Sequence, residues 1–176
     1  MRSLLAAIAC LWLAACGQSS HDAAEASVPE TVTGEYRAAS DTARGLTGNL
    51  AVERAGLIFD RGVVLYTRTL NPRSAHERIV RDGDTYAAVL VSSGDLPIEL
   101  RRITEQTLTG AAEGLCGEDE PTYVAIANEA HSGYLFLLVF AGEEPPGPDA
   151  TQSRLCTRLK YAAPDGARTR EGVVLW

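Results

Sequence analysis

Four cysteines, three histidines and a clustered set of carboxylates are the side chains of this 176-residue chain best suited to chemistry. Cys10 and Cys16 lie close to the N-terminus, and Cys116 and Cys156 stand well apart in the second half. No two cysteines form a C-x-x-C pair, and His21, His76 and His131 are scattered, so a tetrahedral zinc site is not expected. The chain has no G-x-S-x-G elbow, no H-E-x-x-H, no phosphate-binding glycine loop and no dinucleotide fingerprint. No cofactor is expected, and catalysis is not the favoured reading. Triads are recognised by geometry and not by order in the chain, so a hydrolase stays as the least favoured alternative.

Two charged sets remain as candidates for binding. Glu118, Asp119 and Glu120 precede one apolar segment, Glu143 and Glu144 follow the next, and Asp149 lies a little further on. If the two segments form an antiparallel hairpin, the start of the first lies beside the end of the second. The carboxylates would then share one rim, able to attract a basic partner or to offer oxygen ligands to calcium. No calcium-loop pattern supports the metal. The basic set is Arg68, Arg73, His76, Arg78 and Arg81, around one connection. Guanidinium forks suit phosphate and carboxylate, so an anionic envelope component is the partner this set suggests. Both sets also fit ordinary solvated faces.

The compartment is written at the N-terminus. Met1, Arg2 and Ser3 make a short positive start, and residues 4–15 (LLAAIACLWLAA) carry no charge. A dozen apolar residues are too few to span a bilayer as a helix, which takes ~20. They fit the apolar region of an export signal. The stretch ends Leu13-Ala14-Ala15-Cys16-Gly17, which resembles the lipobox of bacterial lipoproteins. The resemblance covers the first seventeen residues. It implies cleavage before Cys16, a diacylglycerol on its thiol and an acylated new amino terminus, and hence membrane attachment through an N-terminal lipid. Gly17 stands where enteric lipoproteins retained at the inner membrane have Asp, so the resemblance implies the outer membrane. Cleavage would remove 15 of the 176 residues, Arg2 among them, and take the net charge from −7 to −8. In an exported, oxidising compartment the remaining pair, Cys116 and Cys156, is most simply one disulfide.

The elements that must position these residues read as β. Residues 16–30 are polar and alanine-rich and make a flexible tether, leaving 31–176 as a single domain. From there, short runs alternate or turn β-branched, punctuated by Gly and Asp: residues 46–53, 57–59, 63–70, 85–91, 96–101, 122–127, 134–141, 157–161, with 172–176 as a candidate last one. Leu96, Ile98 and Leu100 face one way, and Glu99 and Arg101 the other, as in a half-buried strand. Residues 134–141 are apolar throughout and read as a strand buried on both faces. Helical signals are two single turns, one opened by Asn71-Pro72 and one at Asp149 with Gln152. The expected fold is all-β, a small antiparallel barrel or sandwich with one or two short helical turns. An eight-stranded membrane barrel is disfavoured, because charges such as Glu53 and Arg68 interrupt strands shorter than the ten or so residues needed.

Aromatic content of 6% and the acidic balance exclude an aromatic nucleic-acid platform and phosphate-backbone binding. The segments LCGEDEPTYVAIA, YLFLLVF and SRLC look like parts of proteobacterial envelope lipoproteins. Size and a single disulfide are also similar to small β-barrel lipoproteins that inhibit lysozyme, a likeness of architecture. The resemblance implies a non-enzymatic envelope lipoprotein that binds a protein or envelope component. Its alternative is a periplasmic inhibitor of a basic enzyme such as lysozyme.

Overall fold

The computed structural model describes residues 31–91, 96–129 and 131–164. The signal and tether expectations, Cys16, His21 and the strand expected at 172–176 lie outside these residues. The described chain is an eight-stranded antiparallel closed barrel. Its strands are β1 (Gly34–Ala38), β2 (Leu50–Glu53), β3 (Gly56–Phe59), β4 (Val63–Thr69), β6 (Pro97–Leu108), β7 (Tyr123–Glu129), β8 (Tyr134–Ala141) and β9 (Arg154–Ala162), each paired with the next. A two-residue strand, β5 (Arg73–Ser74), lies beyond β4 along the same edge of β6. The barrel closes where β1 meets β9 through only two registered pairs, Arg37 with Ala162 and Ala38 with Tyr161.

The local chemistry explains the hairpins. Glu53 pairs with Gly56 across the two-residue turn Arg54-Ala55. Gly62 turns the chain between β3 and β4 at φ 90°. A side chain there would be strained and would also meet Thr109. Bulges at Tyr66/Thr67 and at Val139/Phe140 shift the register and bend the sheet toward closure.

Alternation along the strands sends Leu50, Val52, Leu57, Phe59, Leu65, Val124, Ile126, Leu137, Val139 and Leu159 into the barrel, where all are at most 3% exposed. The interior is thus filled by side chains, as eight strands permit. The outside is not uniformly wet. Outward residues of β6, β7 and β8, among them Leu100, Ala125, Leu138 and Phe140, form a second buried cluster with Ile79, Tyr86 and Leu90. The segment between β5 and β6 lies over this face as an outer layer. Residues 134–141 are accordingly buried on both sides, as their composition predicts.

Several local expectations are corrected. Residues 85–91 are not a strand but a short helix, α2 (Tyr86–Leu90), capped by the Thr85 hydroxyl, which accepts from Ala88 N at 3.2 Å. One turn places Tyr86 and Leu90 on the same side, against the sheet. Leu46 ends a second short helix, α1 (Asp41–Leu46), whose Ser40 cap accepts from Ala43 N. Asn71-Pro72 leads into β5, and residues 149–152 form a loop before β9; neither opens a helix. Glu99 and Arg101 do face away from Ile98 and Leu100, but into the barrel and not into water.

Helix α1 supports the closing seam. Ala39 N and Ser40 N both donate to the Lys160 carbonyl, and the Ser40 hydroxyl accepts from Lys160 N at 3.3 Å. The Thr47 hydroxyl, just past α1, lies 2.7 Å from the buried Tyr161 phenol. Burial holds that phenol protonated well above its ordinary range.

Candidate functional site

Polar chemistry inside the barrel is concentrated at Arg101, which is fully buried. Its Nε donates to Glu99 Oε1 at 2.8 Å, Nη1 to the Glu53 carbonyl at 2.7 Å and Nη2 to the Val32 carbonyl at 3.0 Å. Glu99 Oε2 accepts from Val32 N at 2.9 Å, and Oε1 also accepts from the Thr69 hydroxyl at 3.4 Å. An ion pair on one strand therefore grips both polar groups of a single residue ahead of β1. The pair is occupied with main chain and with itself, which makes it a fastening and not an open site.

The disulfide joins Cys116, in the connection between β6 and β7, to Cys156 of β9. Neighbouring Leu115 is buried in the barrel core, so the bridge pins a core residue as well as a loop. The carboxylates expected to share one rim are divided. Asp119 pairs with Arg154 of β9. Glu144 Oε2 accepts from Thr151 N at 2.6 Å and from Gln152 N at 3.3 Å, shaping the loop before β9. Glu118, Glu120 and Glu143 are exposed. Among the described residues, no three Asp, Glu, His or Cys side chains converge on a point where a metal could sit.

Glu144 supplies a pH test. Hydrogen bonds from Thr151 N and then Gln152 N hold its carboxyl below the ordinary value of 4.5. A depressed carboxyl contributes stability that is complete above its unfolded value and lost as pH falls through the folded one. Glu144→Gln is expected to melt below the wild type at neutral pH, and the gap is expected to close under acid. Melting curves across that range check this, and a gap that widens under acid would contradict it.

The arginines of the other candidate surface have separate uses. Arg78 Nη1 donates to the Gly83 carbonyl at 2.8 Å, tightening its own turn. Arg81 donates through its main-chain N to the Ala150 carbonyl and through Nη2 to the Asp149 carbonyl, so the basic connection and the loop of Glu144 are in contact. Gly147 N and the Tyr86 phenol reach the Ile79 and Pro146 carbonyls across the same seam. His76 and His131 are exposed. Arg73 is half-buried at 27% and stands 3.5 Å from Glu77; its buried Nε has no hydrogen-bond partner.

Register shows a feature that the sequence did not flag. Arg68 of β4 stands directly opposite Arg102 of β6, both on the outer face and both exposed. Arg68 also lines an open groove of about 610 Å³ with Thr69, Leu70, Asn71, Arg73 and Pro145. The two arginines stand 34 positions apart in the chain, and only the strand pairing brings them together, so spacing carries no signal for this pair.

Compared with known protein families, with characterised proteins and with solved structures, the chain matches none.

Proposed function

We propose that this chain is a lipid-anchored protein of the bacterial outer membrane whose barrel is a non-catalytic binding head. The observation that carries the second half is the filled interior. With Leu57, Leu65, Val124, Leu137 and Leu159 fully buried inside the barrel, the polar side chains available to a partner are on the surface. The polarity is also the inverse of a membrane barrel, whose apolar band faces outward. Here the apolar side chains fill the interior and the outer cluster, while Glu35, Arg37, Arg68 and Arg102 decorate the exposed strands. The anchor half is supported by the lipobox residues 13–16. Three acyl chains at ~0.8 kcal/mol per buried CH₂ would hold such a head permanently.

The anchor is tested by feeding labelled palmitate to cells expressing the full chain. Label is expected in the wild type and absent from Cys16→Ser; label retained in that variant sinks the anchor. The binding half is tested by crosslinking on intact membranes, with an envelope protein or anionic component captured by the wild type. The second reading is an inhibitor of a basic enzyme, favoured by Glu118, Glu120 and Glu143, which are left exposed. Lysozyme inhibition at two salt concentrations separates the two. Salt-sensitive inhibition lost in a Glu118/Glu120/Glu143 triple glutamine variant supports the inhibitor.

A further inference from the structure

We propose that Arg68, Arg102 and Arg73 form a site for a terminal phosphate group. The inference rests on the binding-head reading, whose ligand class it names, and is independent of the lipid anchor. Cross-strand neighbours on one face have Cβ atoms ~5 Å apart, and like charges so placed repel. Arg68 and Arg102 occupy that arrangement, and neither enters an ion pair among the described residues. The carboxylates along β6 are placed elsewhere: Glu99 is inside the barrel on Arg101, and Glu105 stands opposite Tyr66 beyond the bulge. Arg73, whose one ion pair among the described residues is with Glu77 at 3.5 Å, lines the same groove as Arg68.

The ligand class follows from charge and valence. One guanidinium fork satisfies a carboxylate. Three guanidiniums exceed that need and match a phosphate monoester, which carries close to two negative charges at pH 7 and three terminal oxygens. The Asn71 amide is a further polar group in the groove, and Leu70 and Pro145 supply an apolar wall for the remainder of the molecule. A phosphodiester, with one charge and two free oxygens, fits less well.

The test is a titration of the full chain at constant ionic strength, read by calorimetry and melting temperature. The probes are inorganic phosphate, glycerophosphoglycerol (a lipid headgroup without chains) and chloride. Phosphate is expected to bind and to raise the melting temperature above the chloride control, with glycerophosphoglycerol weaker. In Arg68→Gln/Arg102→Gln the phosphate affinity is expected to fall by about tenfold or more. Without phosphate, that variant is expected to melt no lower than the wild type, because a repulsion has been removed. An equal phosphate response in variant and wild type overturns the site, and so does a variant that melts lower in phosphate-free buffer. Headgroup binding as tight as phosphate binding overturns the terminal-phosphate assignment. The palmitate label reads Cys16 alone, and crosslinked partners that persist in the double variant show a binding head without this site, so the failures can be told apart.

Discussion

Arg101→Met is expected to destabilise the barrel by about 3–5 kcal/mol, the range for removing one partner of a buried ion pair. The substitution leaves Glu99, 8% exposed, without its countercharge, and leaves the Val32 and Glu53 carbonyls without their donor. For a domain of this size each kcal/mol lowers the melting temperature by ~2–4 °C, so a fall of at least about 6 °C is expected. Glu99→Gln/Arg101→Met removes both charges and is expected to recover part of the loss, since the larger cost is the stranded carboxylate and not the missing attraction. Urea unfolding of the two variants beside the wild type measures this. A double variant less stable than Arg101→Met would show that Glu99 is stabilised in another way.

Replacing Cys116 and Cys156 together with serine is expected to cost about 4 kcal/mol, from the freedom regained by an unfolded chain no longer closed over a 40-residue separation. The larger unfolded ensemble exposes more surface, so the dependence of stability on urea should steepen as the midpoint falls. Reduced wild type should behave like the variant. The loss extends beyond the loop, because Leu115 enters the barrel core directly beside Cys116 and depends on the same tether to the start of β9. An unchanged urea midpoint in both would mean that packing alone holds this segment.

The barrel was legible in the sequence because its signals are local. Alternation and two- to four-residue turns mark β2, β3, β4, β7 and β8 without reference to the rest of the chain. The cysteine pair was legible too, from the compartment. What escaped depends on distant coverage. The alternation of Ile98, Glu99, Leu100 and Arg101 is a local signal, but that neither side meets water depends on closure of the barrel and on a layer contributed by residues 75–91. The helix in that layer leaves no periodic signal, since five residues of α2 are too few to show a helical period, and Tyr, Val and Leu are equally at home in strands. The opposition of Arg68 and Arg102 is a consequence of register, which a bulge at Tyr66/Thr67 sets. For the acidic set, the hairpin geometry was right. The expected convergence fails because Arg154 and two main-chain amides claim Asp119 and Glu144 individually.

The narrow seam between β1 and β9 bears on how the protein avoids its own copies. Every other junction in the barrel links strands that follow one another in the chain, or, for β4 and β6, strands separated by the segment that carries β5 and α2, so these close smaller loops than the seam does. The seam joins residues more than a hundred positions apart and is held by two registered pairs and the brace of α1. Whenever it parts, β1 and β9 become free edges, each able to accept a strand from a neighbouring molecule. The charges on those strands then take on a protective role. Glu35 and Arg37 on β1, with Arg158 and Lys160 on β9, would have to be packed against the sheet of any such partner. That cost favours closure of the chain on itself over growth of a shared sheet.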